Sequence, residues 1–357
     1  MYFKPSILNL PAYKNPKLTR AQPAGITKLS SNENPLGPSP SAVQAIAAAA
    51  SGLHRYPDAG SQALRQALAA KYDLAPEMVL CTNGSDEMVF LVCSAFLSEG
   101  DAAVMAQGSF ISYLLRTTQM GGVPLRVPLR DATHDLDAMA DAITERTRLL
   151  LLCNPNNPTG TTNGAAEFAR LLQRVPEDVL VVSDEAYVEF ATRQDFPDTL
   201  AEIRGGRSNL LVLRTFAKIY GLAGLRLGYA FGHPDVIAYL DRARPTFNVN
   251  ALAQAAGLAA LGDEAHVARS RNHADHARAR FMAGLAALGL SPIPSETNFI
   301  AVFVGDDAAL AADLLDRGFT VNPISGWGVP GHIRISFGTD DENERFLLAL
   351  RDALVAS

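Results

Sequence analysis

The chain has 357 residues, of which 48% are hydrophobic and 19% are charged, a composition typical of a soluble globular enzyme with a large core. Its net charge is −6 and its Lys and Arg residues are dispersed, which argues against a nucleic-acid partner. No apolar stretch reaches membrane-spanning length, and the first residues lack the charged-then-apolar order of a signal peptide, so we expect a cytoplasmic protein without a membrane partner.

Strand-like apolar runs alternate with helical patterns from about residue 60 to residue 230, as expected for a parallel sheet built from βαβ units. The runs that predict buried strands are 78–81, 103–106, 149–153, 180–183 and 210–213. The final hundred residues are more mixed, and Pro245, Asn248 and Asn250 indicate a hinge-like break before them. We predict an N-terminal arm and the start of a small domain at 1–35, a large domain at 36–248 and a small C-terminal domain at 249–357.

The first of these runs leads into a predicted phosphate site at residues 82–87. These residues begin an apolar-periodic helix that extends to about residue 97, and helix N-termini bind phosphate well. Gly84 lets the backbone approach an anion closely, and the amides of Ser85 and Asp86 would point at it. Phe110, just after the second run, supplies an aromatic face on which a flat ring can stack.

Each of the other three runs is followed by a short polar motif. The motifs are Asn-Pro-Asn-Asn-Pro-Thr-Gly at 154–160, Asp-Glu-Ala-Tyr at 184–187 and Thr-Phe-Ala-Lys at 215–218. Alone, they are explained as a turn, a helix cap and a surface lysine. Because ligands bind beyond the carboxyl ends of parallel strands, their joint order predicts that Asn157, Asp184 and Lys218 converge on one ligand.

Pyridoxal phosphate fits these groups best, because its aldehyde needs an amine, its ring nitrogen an anion and its phosphate a cation. Lys218 would bind the aldehyde covalently and, once displaced by substrate, carry the proton of the substrate Cα atom. Asp184 would keep the ring nitrogen protonated. Asn157 and Tyr187 would donate hydrogen bonds to the ring oxygen, and Arg226 would pair with the phosphate.

These motifs, with further ones along nearly the whole chain, resemble those of the histidinol-phosphate aminotransferases, a branch of the fold-type I pyridoxal-phosphate aminotransferases. The further motifs are Leu-Ser-Ser-Asn-Glu-Asn-Pro-Leu-Gly-Pro-Ser at 29–39, Arg-Tyr-Pro at 55–57, Gly-Leu-Arg-Leu-Gly at 224–228 and Ile-Arg-Ile-Ser-Phe-Gly-Thr at 333–339. The resemblance implies an α/β fold with a mostly parallel central sheet flanked by helices, a smaller α+β domain and an N-terminal arm. It also implies transamination between histidinol phosphate and 2-oxoglutarate in histidine biosynthesis.

The same resemblance implies a homodimer whose active sites are shared between subunits. Tyr56 would reach the cofactor phosphate of the neighbouring subunit. Arg334 would hold the anionic end of the substrate, and Tyr13 would help to close the site. Asn34 and Asn322 occupy further motif positions that belong to the substrate site.

Two departures from the family pattern concern the cofactor side. Ala217 replaces the usual serine before the lysine, which removes a phosphate donor, although Thr215, Arg226 and the helix start at Gly84 remain. Gly108 stands where the family tends to have proline, and we expect it to loosen the loop before Phe110 without changing the chemistry.

Asn322 is the departure that bears on the substrate, because the family's histidinol-phosphate enzymes have an arginine there that clamps the substrate phosphate. Loss of one charge-assisted contact costs roughly 1.5–3 kcal/mol, or about tenfold to a hundredfold in binding. Arg334 alone can pair with a carboxylate, so an aromatic aminotransferase acting on phenylalanine or tyrosine is the first alternative. A pyridoxal-phosphate decarboxylase or lyase is the second, since the cofactor stabilises any Cα carbanion. A non-catalytic sensor is disfavoured by the intact lysine.

Other patterns receive ordinary interpretations. Residues 326–331 have the glycine pattern of a dinucleotide fingerprint, but a strand-like segment follows, so we predict a flexible loop instead. Its Trp327 either lines the substrate entrance or is only a packing residue. His273 and His276 lie on a charged helix and predict a solvated face instead of a metal site, so no metal is expected. The three cysteines lie in apolar stretches and are expected to be free and buried.

Overall fold

The computed structural model describes residues 3–8, 10 and 25–356, so the predicted site residue Tyr13 lies outside the described residues. The strands are β1 Thr27–Lys28, β2 Val79–Thr82, β3 Ala102–Ala106, β4 Val123–Val127, β5 Thr147–Cys153, β6 Leu180–Asp184, β7 Leu210–Thr215, β8 Gly228–Gly232, β9 Pro292–Ile293, β10 Phe299–Phe303, β11 Phe319–Thr320, β12 Asn322–Pro323 and β13 His332–Ser336. The α-helices are α1 Pro5–Leu8, α2 Pro40–Ala49, α3 Gln62–Tyr72, α4 Ser85–Phe96, α5 Ile111–Gln119, α6 Leu136–Asp141, α7 Ala165–Arg174, α8 Thr199–Arg204, α9 Pro234–Ala243, α10 Ala251–Leu261, α11 Glu264–Ala287, α12 Asp307–Asp316 and α13 Asp340–Ala356.

The central sheet of the described chain has the strand order β2-β8-β7-β6-β5-β3-β4. Strand β8 is antiparallel to both of its neighbours, and every other pair is parallel. The five predicted apolar runs correspond to β2, β3, β5, β6 and β7, with each end within two residues. The predicted mostly parallel α/β sheet is therefore confirmed.

Side chains on alternate positions of these strands enter two different cores, which explains why the strands are apolar throughout. In β5, Leu149 and Leu151 pack with α4 and α9 on one face, whereas Leu150 and Leu152 pack with α3, α7 and α10 on the other. All four leucines are fully buried. The sheet therefore lies between two layers of helices, and its carboxyl edge remains open for a site.

The C-terminal part builds a second, antiparallel sheet with the order β12-β13-β10-β9, next to α11 and α12. Asn322 of β12 pairs with Arg334 of β13, so two of the predicted site residues are neighbours across this sheet. Strand β1 pairs with β11, which joins the start of the described chain to its C-terminal part. The domain boundaries stay a prediction.

The structure also locates the patterns that received ordinary interpretations. Residues 326–331 lead into strand β13 and not into a helix, which confirms the objection to a dinucleotide site. His273 donates to the carbonyl of Gly338, and His276 bonds within its own helix. All three cysteines are buried and free. In the part of the chain that the structure describes, no group of His, Cys, Asp and Glu is arranged to hold a metal, and no helix is long and apolar enough to span a membrane.

Candidate active site

A cavity of about 780 Å³ opens at the carboxyl ends of β5, β6 and β7, where the sequence places its ligand. The second sheet contributes the opposite wall through β12 and β13. The predicted site residues that line the cavity are Ser85, Asp86, Phe110, Asn157, Asp184, Tyr187, Thr215, Lys218, Arg226, Asn322 and Arg334. The structure therefore brings together most of the side chains that the motifs predicted.

Asp184 ends strand β6 and is only 2% exposed. Its Oδ2 atom accepts a hydrogen bond from the Tyr113 hydroxyl at 2.9 Å, and its Oδ1 atom accepts one from the Ala186 amide at 3.2 Å. Burial raises the pKa of Asp184 to about 6, and these two hydrogen bonds oppose the rise. No described cationic side chain forms an ion pair with Asp184, so a cationic ligand group can take that place.

Lys218 lies in the loop after β7, and its amine reaches the same cavity. The Nζ atom lies 3.4 Å from the Ser31 carbonyl oxygen and 5.6 Å from the ring centroid of Tyr187. Burial lowers the pKa of Lys218 to about 7, and the nearby positive charge of Arg334 acts in the same direction. A substantial fraction of the amine is therefore neutral near neutral pH, and the neutral amine is the form that attacks an aldehyde.

Three side chains on the cavity wall, Tyr187, Asn157 and Arg334, are held by hydrogen bonds. The Tyr187 hydroxyl accepts from Asn32 Nδ2 at 2.9 Å. Asn157 Oδ1 accepts from Arg334 Nη1 at 2.6 Å, which leaves the Asn157 amide nitrogen as the group that can donate to a ligand. Arg334 Nη2 donates to the Ser30 carbonyl at 2.7 Å, and its Nε is buried without a partner.

The predicted phosphate site lies at one end of the cavity, where β8 approaches the start of helix α4 closely. A Cβ atom added at Gly228 would lie 2.4 Å from the Ser85 amide nitrogen, and one added at Gly84 would lie 2.6 Å from Arg226 Nη2. Gly84 also has a positive φ of 84°, which favours glycine. Only glycine at these two positions lets the guanidinium of Arg226 meet the helix N-terminus, where an anion is stabilised by both.

The remaining residues of this end have protein partners. The Thr215 hydroxyl donates to the Leu227 carbonyl at 3.2 Å and accepts from the Ala217 amide at 3.0 Å. The Asp86 carboxylate forms an ion pair with Arg116 at 2.8 Å and accepts from Ser112. Asp86 can therefore offer a phosphate its backbone amide, while its charge is balanced elsewhere.

Asn34 and Tyr56 are predicted site residues that do not line the cavity. The Asn34 side chain donates to the Ile219 carbonyl and to the Ser270 hydroxyl, both at 2.9 Å, and so joins the loop after Lys218 to helix α11. Tyr56 is 82% exposed and stacks on Phe247 with ring centroids 4.6 Å apart. Asn34 therefore joins two parts of this chain, and Tyr56 lies on its surface.

The comparison with known proteins decides the family. The family model for aminotransferase class I and II matches residues 24–350. The chain is a class I and II aminotransferase. The histidinol-phosphate aminotransferase of Moorella thermoacetica is 45% identical to it over 330 residues, which cover 92% of this chain and 86% of the relative. That of Halalkalibacterium halodurans is 42% identical over 362 aligned positions, with 99% and 97% coverage.

Solved structures agree with the fold of this aminotransferase. The crystal structure of histidinol-phosphate aminotransferase from Sinorhizobium meliloti in complex with pyridoxal-5'-phosphate has a TM-score of 0.90 and 31% identity, and the match covers 99% of this chain and 98% of that chain. Aspartate aminotransferase from Thermus thermophilus with maleate has a TM-score of 0.80 and 26% identity, with 92% coverage of both chains. The resemblance inferred from the motifs is confirmed, as is fold type I.

Sequence reasoning missed two residues that complete this aminotransferase site. Tyr113 supplies the hydrogen bond to Asp184, and it lies three residues after Phe110 at the start of α5. Asn32, which orients Tyr187, has a positive φ of 52° inside the motif at 29–39. An asparagine in such a motif is a signal for this backbone conformation, whereas no local pattern indicates where the Tyr113 hydroxyl points.

Proposed function

We propose that this aminotransferase uses pyridoxal phosphate and acts on histidinol phosphate, with 2-oxoglutarate as amino acceptor and imidazole acetol phosphate and glutamate as products. The observation that carries the proposal is one cavity that holds a buried lysine of pKa about 7 and a buried carboxylate without a protein cation. The two relatives, at 45% and 42% identity, support the substrate. The cytoplasmic location stays a prediction.

The residues present fit the cofactor. The cradle between Gly84 and Arg226 suits a phosphate, and the Asp184 carboxylate suits a protonated ring nitrogen. When bound, pyridoxal phosphate supplies an electron sink for the carbanion at the substrate Cα atom. Lys218 Nζ would hold the aldehyde of the cofactor, and the same amine would act as the general base for the Cα proton of the substrate.

The position of Arg334 supports transamination over the decarboxylase or lyase alternative. Its guanidinium is fixed by hydrogen bonds to Asn157 and to the Ser30 carbonyl, so it presents its remaining N–H groups to the cavity in one orientation. Glutamate held there by its carboxylate would keep that group away from the bond that breaks, so proton loss would be favoured over loss of carbon dioxide, and histidinol phosphate has no carboxylate to lose. The arrangement favours transamination over the lyase alternative.

We also propose a homodimer with shared active sites, in which Tyr56 reaches the cofactor phosphate of the neighbouring subunit. The exposed Tyr56 stacks on Phe247, and helix α10 contacts the same loop through a hydrogen bond from Gln254 to the Asp58 carbonyl. Helix α10 packs on α2, and these helices carry further exposed apolar residues, Leu258 and Val43. Mixing a Tyr56→Ala chain with a Lys218→Ala chain tests this arrangement. Shared sites predict that the mixture regains activity that neither variant has, and no gain in a mixture shown to exchange subunits would contradict it.

A second candidate, an aromatic aminotransferase, is favoured by one observation. Asn322 lines the cavity beside Arg334, and the cations among the described lining residues are Lys218, Arg226 and Arg334. Lys218 and Arg226 belong to the cofactor, which leaves one cation for the substrate. One guanidinium suits a carboxylate of charge −1 better than a phosphate monoester with nearly two charges.

Steady-state kinetics with 2-oxoglutarate separate the two candidates. Histidinol phosphate as the native substrate predicts a higher kcat/KM for it than for phenylalanine or tyrosine. If an aromatic amino acid is native, Asn322→Arg should improve the kcat/KM for histidinol phosphate by about tenfold to a hundredfold and leave or impair the aromatic reaction. Asn322→Gln is the matched neutral control. A wild type that already prefers histidinol phosphate contradicts the argument from Asn322.

A further inference from the structure

We propose that Trp327 recognises the ring of the substrate side chain by stacking, and so makes the enzyme selective for ring-bearing amines. This inference rests on the proposed function and specifies the substrate class of the same site. Trp327 lines the cavity, and its ring centroid lies 6.4 Å from that of Phe110. The Arg334 guanidinium carbon lies 5.4 Å from its ring centroid. The indole is thus placed between the ring of Phe110 and the cation that holds the substrate anion.

A contact between two loops holds Trp327 in this place. Trp327 ends a short 3-10 turn, and Gly328 after it has a φ of 100°. A Cβ atom added at Gly328 would lie 2.9 Å from the Gly108 amide nitrogen, and one added at Gly108 would lie 2.9 Å from Val329 Cγ2. The loop that carries Phe110 and the loop that carries Trp327 therefore pack against each other through glycine backbone. Both aromatic side chains form one wall of the cavity.

Gly108 stands where the family tends to have proline, and the sequence predicts that it loosens the loop before Phe110. The structure indicates a different effect. Its φ is 87°, which glycine adopts without strain and which proline, fixed near about −65°, cannot adopt. The glycine therefore permits a tight contact with Gly328 that the family's proline would prevent. The departure at Gly108 and the aromatic residue at 327 belong to the same local arrangement.

The chemistry of the wall favours a flat ring over other side chains. Phe110 is assigned to the cofactor ring, whereas Trp327 offers a second aromatic face next to it. Asn322 is neutral, so the substrate side chain meets little charge beside Trp327 except that of Arg334. An imidazole or phenyl ring stacks on such a face, whereas an aliphatic side chain gains only burial. This selection is independent of whether Arg334 holds a phosphate or a carboxylate.

Two substrate pairs isolate the ring. Histidinol phosphate is compared with 2-aminopropyl phosphate, which has the same amine and phosphate without the imidazole, and phenylalanine is compared with alanine. We expect Trp327→Ala to reduce the ratio of kcat/KM within each pair by about tenfold, mainly through KM. Trp327→Phe should keep most of the ratio. Phe303→Ala removes an exposed ring from β10 outside the cavity lining and should leave the ratio unchanged.

An equal loss for both members of a pair would overturn the proposal, because it would mean that Trp327 acts only by supporting Arg334. A second measurement needs no variant, since Trp327 is the only tryptophan of the chain. Ring-bearing ligands should change its fluorescence in the wild-type holoenzyme at concentrations near their KM, and ringless partners should change it less. Equal changes would also contradict the proposal. Failure of the proposed function is distinguishable, because wild type would then transaminate neither histidinol phosphate nor phenylalanine.

Discussion

Asp184 and Glu185 are adjacent carboxylates that face opposite sides of the central sheet and have different partners. Asp184 accepts from Tyr113 and from a backbone amide, with no described cation paired to it. Glu185 is 1% exposed and accepts from Arg214 Nη2 at 2.8 Å and Nε at 3.1 Å. Burial raises the pKa of both, but only Glu185 has a cation that opposes the rise.

The difference shows which carboxylate is structural and which is kept for a ligand. A buried charge is costly unless it is paired, and Glu185 is paired within the protein. Asp184 is held by neutral donors instead, so a ligand cation stabilises it further. We infer that the Asp184 side of the sheet carries the chemistry, and that the Glu185–Arg214 side contributes to stability.

On the Asp184 side of the sheet, Lys218→Ala should give the largest loss of activity. It removes both the amine that binds the aldehyde and the base that moves the Cα proton, so transamination should fall to background. The fold should persist, and the cofactor should bind weakly and reversibly. Turnover and the absorbance of the lysine-bound cofactor measure both effects. Near-normal turnover with an unchanged spectrum would show that Lys218 neither binds the aldehyde nor moves the proton.

On the Glu185–Arg214 side of the sheet, Arg214→Ala should give the largest loss of stability. It leaves Glu185 buried without its cation, which costs roughly 3–5 kcal/mol in the free energy of unfolding. The single-turnover rate should stay close to that of wild type at temperatures where the variant is folded. The double variant Arg214→Met with Glu185→Gln should recover much of the stability, because no charge is then left unpaired. A large loss of rate at unchanged stability would contradict the division between the two sides.

Tyr113→Phe should give a smaller effect that is visible in the pH profile. Burial raises the pKa of Asp184 to about 6, and the Tyr113 hydrogen bond opposes this, so its removal should raise that pKa further. Since the ionised carboxylate is the active form, activity is lost as pH falls through the pKa that Asp184 has in the holoenzyme, which the cofactor's ring nitrogen lowers. The acid limb of kcat should therefore move to higher pH in the variant. Tyr229→Phe, which removes a buried hydroxyl on the Glu185 side, is the control and should not move it.

The sequence predicts the cofactor half of the site better than the substrate half. Asn157, Asp184 and Lys218 each follow a buried strand, and parallel strands bring their carboxyl ends to one edge, so local patterns were sufficient. The same local patterns were sufficient to predict the family and the fold, and both are confirmed. Glycine patterns likewise placed Gly84 at a helix start.

Contacts between distant segments were beyond sequence reasoning. Tyr113 and Asp184 are 71 residues apart, and their hydrogen bond depends on how α5 packs against the sheet. The contact between Gly108 and Gly328 joins loops from different sheets, so Gly108 alone predicts only a flexible loop. Asn34 follows a family motif, yet its amide is used to join Ile219 to Ser270.

The central claim is that Asp184 serves the chemistry and is not a structural carboxylate. Single-turnover kinetics of Asp184→Asn, measured beside its free energy of unfolding, test it most directly. We predict a fall of several orders of magnitude in the rate of the half-reaction with histidinol phosphate, because the cofactor ring nitrogen loses its anion. The stability should change little. A near-normal rate with a loss of about 0.5–2 kcal/mol in stability, the effect of removing a helix cap, would contradict the account.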